Sequence, residues 1–331
     1  MVAARCGVSS APGRQASRCV GLLARLPSVL VLRRFPDLQD PQTAAKFLKA
    51  WWSDTVVVHA RQRQVGYAAH PGPLSIKCAF GGRETYELEG RRLDVHDGCW
   101  LAVPEGTVYS SEIDSAHPVE SLCVTFPRAH VQQAATLADG AMLDCEASRA
   151  PAAFAQLHAA EGAVYQSAVR LRALRDPHSM EEELHVLLAA ILRTQEGIRR
   201  EIASLPARRP STRAELYRRL QRARDLIESR FDEPLKLQDM ARAACLQDHH
   251  FLREFTRAFR VTPYRYLVRR RLEAAHTLLR RGATVMNACL NSGFTDPSAF
   301  GRAFRVRYGH PPSALSRKNA ISAGCASRPG T

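Results

Sequence analysis

The nine cysteines, at positions 6, 19, 78, 99, 123, 145, 245, 289 and 325, include no Cys-x-x-Cys pair and no Cys/His spacing of the kind that holds zinc. Their odd number and scatter, in a chain of 331 residues, exclude a disulfide scaffold and point to a reducing, cytoplasmic setting. Cys78, Cys99 and Cys123 fall in apolar strand-like runs, where a free thiol behaves as a small hydrophobe. Acidic residues are missing from positions 1–36, which hold six arginines. The apolar run there, VGLLARLPSVLVL, is broken by Arg25 and Pro27 and lacks a clean small-residue cleavage pattern. A disordered extension over 1–45 is expected instead of a targeting segment. No stretch approaches the ~18 consecutive apolar residues of a membrane span. Nor is there a Ser/His/Asp or paired-carboxylate constellation, so an enzyme is not expected.

What is present is charge, unevenly placed. The formal net charge is +15, and residues 201–331 hold 25 Lys+Arg against 11 Asp+Glu, nearly the whole excess. A polyanion, nucleic acid or an acidic membrane surface, is the implied partner of that part.

From Thr55 to Phe126 the pattern is that of short strands. TVVVHA, LSIKCAF, ETYELEG, RRLDVHDG and CWLAVPEG alternate or run apolar, with Gly, Pro and Asp punctuation between them, which predicts a sandwich or barrel. The segment GRRLDVHDGCWLAVPEGTVY resembles the second half of a cupin barrel, in which a glycine-rich turn leads into a strand ending in Pro-x-Gly. Metal-binding cupins add a His-x-His pair and a later His. Here no His-x-His occurs, Tyr109 stands at the late position, and His59, His70 and His96 are dispersed. No metal or other cofactor is therefore expected. The resemblance implies a small-molecule pocket or a scaffold, with Tyr67, Tyr86, Trp100 and Tyr109 as candidates for an effector pocket. The alternative role for these aromatics is core packing.

From about residue 151 the period becomes helical. AAFAQLHAAEGAVYQSAVRLRAL reads as one amphipathic stretch and MEEELHVLLAAILRTQ as another. Leu184, Leu187, Leu188, Ile191 and Leu192 form an apolar stripe that fits either packing onto the barrel or a homodimer seam. ASLPARRPSTR, without periodicity, reads as a linker.

The basic region contains one pattern twice. Phe251, Arg253, Phe255, Phe259 and Pro263 match Phe300, Arg302, Phe304, Tyr308 and Pro312, all offset by 49. Upstream the offset is 48: Ala241 pairs with Cys289 and Cys245 with Gly293, so the second copy has one extra residue before its second helix. Each copy is a short helix, a tight turn and a longer helix. At ~100° per residue the aromatics of each longer helix lie on one side. Opposite them lie His249, Arg253 and Thr256 in the first copy, and Ser298, Arg302 and Arg305 in the second. Asp296 before Pro297 is a strong helix start, whereas Gln247 is a weaker cap that Asp248 can replace.

The last hundred residues resemble the DNA-binding domain of AraC/XylS-family transcription regulators. The resemblance rests on both repeated units, on the joining helix YRYLVRRRLEAAHTLL, and on the ending GFTDPSAFGRAF followed by GHPP. It implies an α+β, two-domain chain: an N-terminal cupin-like β-barrel with following helices, and a C-terminal all-α domain with two helix-turn-helix motifs. The expected boundaries are an effector-binding or dimerisation domain over 46–195, a linker over 196–212, and a DNA-binding domain over 213–318. The two helix-turn-helix units fall at about 235–260 and 284–309, and a disordered tail at 319–331. Carried over by position, His249, Leu252, Arg253, Thr256, Ser298, Arg302 and Arg305 are base-contact candidates. Leu252 and Pro297 depart from polar choices, leaving apolar contact to thymine methyls or none. Arg269, Arg270, Arg271 and Thr295 are candidates for the DNA backbone, the three arginines equally fitting solvated charge. The implied partners are double-stranded promoter DNA, RNA polymerase for an activator, a small-molecule effector and a second copy of the chain. A constitutive DNA binder of low sequence preference, or an enzyme in the barrel, are the competing readings.

Overall fold

The computed structural model describes residues 28–38, 40–139 and 155–315, so the tail expected at 319–331 lies outside the described residues. β1 (Val29–Leu32) runs parallel to the start of β2 (Thr55–Pro71), with Val29 opposite Thr55 and Leu32 opposite Val58. Between them α1 (Pro41–Ser53) begins at Asp40, whose carboxylate accepts from the Thr43 amide at 2.9 Å, with Pro41 at the first helical position. The extension expected over 1–45 is thus corrected for its described part. VLVL becomes a strand because its partner lies some 26 residues on, a pairing that local sequence does not reveal.

β3 (Leu74–Phe80), β4 (Arg83–Leu88), β5 (Arg91–His96), β6 (Cys99–Val103), β7 (Val108–Phe126) and β8 (Gln156–Ala159) complete an eight-stranded mixed sheet. Its main path is β1-β2-β7-β3-β6-β8, and the β4–β5 hairpin branches from β7. Among the described residues the expected closed barrel does not form, since β1 and β8 end the path without pairing to each other. The long β7 explains the branching: Glu120 to Phe126 pair with β3, whereas Tyr109 to Glu112 pair with β4.

Strand alternation sorts the side chains onto two faces. In β6, Cys99, Leu101 and Val103 pack with Tyr86, Val95 and Ile113 of the folded-over hairpin and β7. Trp100 points the other way, towards α2 (Arg128–Asp139), α3 (Gly162–Ala173) and α4 (Pro177–Ala203). Leu184, Leu187, Leu188 and Ile191 of α4 bury against Ile76, Trp100 and Val124, so this stripe covers the sheet and is not free to be a dimer seam. From Ala155 onward, the stretch read as one helix is instead β8 and α3, separated by Ala160 and Glu161, with Gly162 opening α3 at φ +78°. QLHA has a ready partner in the exposed edge of β6, and that pairing overrides its helical period.

α4 continues to Ala203 and α5 (Pro210–Arg230) follows, so the segment between helices is 204–209, shorter than the expected 196–212. Then come α6 (Leu237–Ala243), α7 (Asp248–Phe259), α8 (Pro263–Arg280), α9 (Val285–Asn291) and α10 (Pro297–Tyr308). Two small cores form here. One joins Tyr217, Ile227, Met240, Phe251 and Phe255 to Leu267; the other joins Leu272 and Leu279 to Cys289, Phe300 and Phe304. α8 supplies both, its first half to one and its second half to the other.

Candidate nucleic-acid interface

The repeat seen in sequence is a repeat in geometry. α6 and α9 are offset by 48 and α7 and α10 by 49, end for end. In the first turn the amides of Cys245 and Leu246 donate to the carbonyls of Arg242 and Ala241, at 2.9 and 3.0 Å. In the second, Gly293 and Phe294 donate to Leu290 and Cys289, at 3.0 and 3.1 Å. Cys245 and Gly293 hold the same left-handed position, at φ +52° and +82°. The extra residue is therefore Thr295, which stands exposed between the turn and the cap of α10. Asp296 caps α10 by accepting from the Ser298 amide at 2.8 Å. Gln247 begins α7 without a side-chain cap bond, and Asp248 lies inside the first turn rather than replacing it.

Phe251, Phe255, Phe300 and Phe304 are fully buried, which fixes the rotation of both longer helices. The opposite faces are left to solvent. His249, Leu252 and Arg253 are exposed on α7, with Thr256 half-buried and its hydroxyl donating to the Leu252 carbonyl at 2.7 Å. Ser298, Arg302 and Arg305 are exposed on α10. Each helix thus leaves a largely polar face to solvent, and a major groove ~12 Å across is wide enough to admit an α-helix.

The backbone candidates divide. Arg270 is buried: its Nε donates to Glu228 Oε2 at 2.7 Å, and Glu228 also accepts from the Tyr266 hydroxyl. It is corrected from a phosphate contact to an internal tie between α5 and α8. Arg271 is corrected likewise, because its Nε and Nη2 donate to the carbonyls of Phe231 and Glu233, each at 2.7 Å. A guanidinium that satisfies carbonyls at the end of a helix is structural. Arg269 is half-buried beside Glu273 at 3.6 Å and lies over the Tyr266 ring.

A protein-family model described as a helix-turn-helix domain matches residues 240–318. The match takes in the last residues of α6 and all of α7 to α10. Among solved structures, the chain is similar to a probable AraC family transcriptional regulator from Rhodopseudomonas palustris CGA009. The identity is 26% over 30% of this chain and 96% of that one, with a TM-score of 0.29. It is similar to the DNA-binding domain of AdpA, a global transcriptional factor solved in complex with a target DNA. There the identity is 22%, covering 31% and 94%, with a TM-score of 0.30. A longer likeness is to unsaturated fatty acid-bound ToxT from Vibrio cholerae strain SCE256, at 12% identity over 79% and 94% of the two chains and a TM-score of 0.35.

The sheet and the helix-turn-helix domain meet through side chains that sequence reading passed over. Asp225 of α5 is buried; its Oδ1 accepts from the Leu157 amide at 2.9 Å, and its Oδ2 accepts from Arg91 of β5 at 2.6 Å. Gln221, one turn earlier, donates to the Leu157 carbonyl and to Asp225. These two side chains satisfy the free edge of β8 as a neighbouring strand does. Burial raises the Asp225 carboxyl to about 6, with Arg91 opposing the rise. Beyond it, the turn between β5 and β6 lies along α8, where Asp97 receives both Nη atoms of Arg281, at 2.8 and 3.2 Å. The one signal in sequence was the polar run Gln221, Asp225, Glu228 at helical spacing, unusual because all three are fully buried.

The four aromatic candidates for an effector pocket do not share a cavity. Trp100 is on the helix-covered face, stacked on His158 with ring centroids 4.1 Å apart, and is corrected to core. Tyr86 and Tyr109 are buried on the opposite face. Tyr109 accepts from the buried Lys77 ammonium at 2.8 Å, and Lys77 also donates to the Cys123 thiol at 3.0 Å. Tyr67 is half-buried at the edge, donating to the Pro36 carbonyl at 2.9 Å. The histidines are equally apart: His59 meets Glu120 at 2.7 Å, His70 lies against Tyr109, and His96 against the Glu228 carbonyl.

Proposed function

We propose that this chain is a sequence-specific transcription regulator of the AraC/XylS type that reads promoter DNA through α7 and α10. The two helix pairs act as two helix-turn-helix units. The observation that carries this reading is the duplicated turn geometry around two aromatic-anchored helices with exposed polar faces. α8 joins them as a rigid spacer with residues in both cores. Rigid spacing lets two short helices of one chain enter successive major-groove segments on one side of a duplex. His249, Leu252, Arg253 and Thr256 read bases from α7; Ser298, Arg302 and Arg305 read them from α10. Arg269 and Thr295 are the backbone contacts that remain.

The working boundaries are a cupin-like sheet domain with its covering helices up to Ala203, a short linker over 204–209, and the DNA-binding domain from Pro210. A small-molecule effector held by the sheet domain modulates reading, because the Arg91–Asp225 and Asp97–Arg281 contacts would carry a change in the sheet to α5 and α8. A second copy of the chain places two such modules on paired half-sites, and RNA polymerase is the further partner of an activator.

Selection from a pool of randomised duplexes by the full chain tests this reading. The expected product is a motif with two elements about one helical turn, 10–10.5 base pairs, apart. Recovery of a single element would leave only one helix reading, and recovery of no motif would remove sequence-specific regulation altogether.

A further inference from the structure

The two longer helices differ in one respect that their shared framework conceals. Position 254 of α7 is a glutamate, and its counterpart on α10, offset by 49, is Ala303. Glu254 is buried, at 3% exposure, although it sits one residue from the solvent face. Its Oε1 accepts from the Arg253 Nε at 2.9 Å and lies 3.8 Å from the His250 Nε2; its Oε2 lies 3.5 Å from the Arg257 Nη1. One carboxylate thus gathers three basic side chains of the same helix. On α10 the counterparts of His250 and Arg257 are Ala299 and Val306, and no carboxylate among the described residues lies within ion-pair distance of Arg302.

A guanidinium presents its five N–H groups as a planar fork. With Nε committed to Glu254, the side edge of Arg253 is occupied, the plane of the fork is fixed, and the two Nη groups remain to point outward. That end-on pair is the edge that makes the two-bond contact to O6 and N7 of guanine. Arg253 is still 67% exposed, so the tether does not withdraw it from solvent. The same carboxylate offsets one positive charge of α7, and offset charge is charge withdrawn from sequence-blind attraction to phosphates.

We propose that Glu254 is a positioning residue for base reading: it orients the Arg253 fork and lowers the non-specific phosphate affinity of α7, making the first helix the more selective and α10 the more adaptable. The proposal rests on the base-reading role given to Arg253 above. Arg302, untethered, adopts its geometry only on contact with DNA.

The test uses the full chain, its Arg253→Ala, Glu254→Ala and Glu254→Gln variants, randomised-duplex selection, and titrations of the selected duplex and a shuffled duplex over a range of salt. Arg253→Ala identifies the base position that Arg253 reads. Glu254→Ala is expected to lose preference at that same position, about tenfold, and to bind the shuffled duplex with a salt slope steeper by about one. Glu254→Gln keeps an oxygen that accepts from Nε, so it should retain most of the preference while its slope steepens equally. A folded Glu254→Ala chain that selects the parent motif unchanged, or blurs every position alike, overturns the proposal and leaves a purely structural Glu254. If the alanine variant does not fold, the glutamine variant decides: a steeper slope with preference kept supports the proposal, and an unchanged slope overturns it. A parent chain that selects no motif is a separate failure, that of base reading itself, and removes the proposal with it.

Discussion

A Cβ placed on Gly98 would lie 1.7 Å from Nη2 of Arg270, so the β5–β6 turn and α8 touch at a point where only hydrogen fits. Arg270 has little freedom to withdraw, being buried and tied to Glu228 at 2.7 Å. Gly98→Ala is expected to destabilise the chain by about 1–3 kcal/mol, the usual range for overpacking a fixed site. Chemical denaturation measures it, and a loss below about 0.5 kcal/mol would show that the sheet and α8 are less firmly joined than their contacts imply.

The paired turns make a two-sided prediction. At Gly293 a Cβ would meet the Asp232 backbone at 2.8 Å, on a residue already at φ +82°. Gly293→Ala should therefore cost about 2–4 kcal/mol, strain and collision together. Cys245 occupies the equivalent place with a side chain and pays for it in strain. Cys245→Gly is expected to raise stability by about 0.5–1 kcal/mol, because relief of the left-handed strain exceeds the entropy that glycine adds to the unfolded chain. Thermal unfolding of the two variants should move the midpoint in opposite directions.

His158 gives the acid side of the stability curve a defined sign. Burial, with Arg224 adding to it, holds its imidazole at about 3, well under the ordinary 6.5. Between those values the unfolded chain binds a proton that the folded chain refuses, so stability falls as pH drops below about 6.5. Asp225, raised to about 6 by burial, acts in the opposite sense: its contribution to stability falls as pH rises from the ordinary 3.8 towards 6. His158→Phe keeps a ring to stack on Trp100 and removes the first effect alone. Relative to the parent, its stability between pH 6 and 4 should fall less steeply, by up to about 1.4 kcal/mol per unit. Parallel curves would mean that His158 titrates normally.

Arg302→Ala tests α10. The side chain is exposed and has no carboxylate partner among the described residues, so its loss should leave thermal stability unchanged within about 0.5 kcal/mol. On the selected duplex it should cost about 1–3 kcal/mol and relax preference at one base. Equal weakening on all duplexes would make Arg302 a phosphate contact.

Much of the helix-turn-helix domain was legible because its signals are local. Phe251, Phe255, Phe300 and Phe304 recur at helical spacing, and the change of offset from 48 to 49 located the extra residue between the turn and the second helix. The sheet was legible as strands but not as an architecture, since β1 and β8 become strands only through β2 and β6, far away in the chain. The arginine triplet shows the limit most sharply. Arg269, Arg270 and Arg271 are chemically alike and adjacent, yet one faces Glu273, one is buried on Glu228 and one ends α5 by binding two carbonyls.

By itself, then, the sequence determined the periodicities, the repeated helix pair and the residues that anchor and expose each longer helix, because each depends on neighbours a few positions away. Only the tertiary structure decided that the sheet stays open, that Trp100 and Tyr109 face opposite ways, and that Asp225 seals the β8 edge. It also decided that Arg270 never reaches solvent. These depend on which distant segments meet, and on the free energy of leaving a buried charge or a strand edge without a partner.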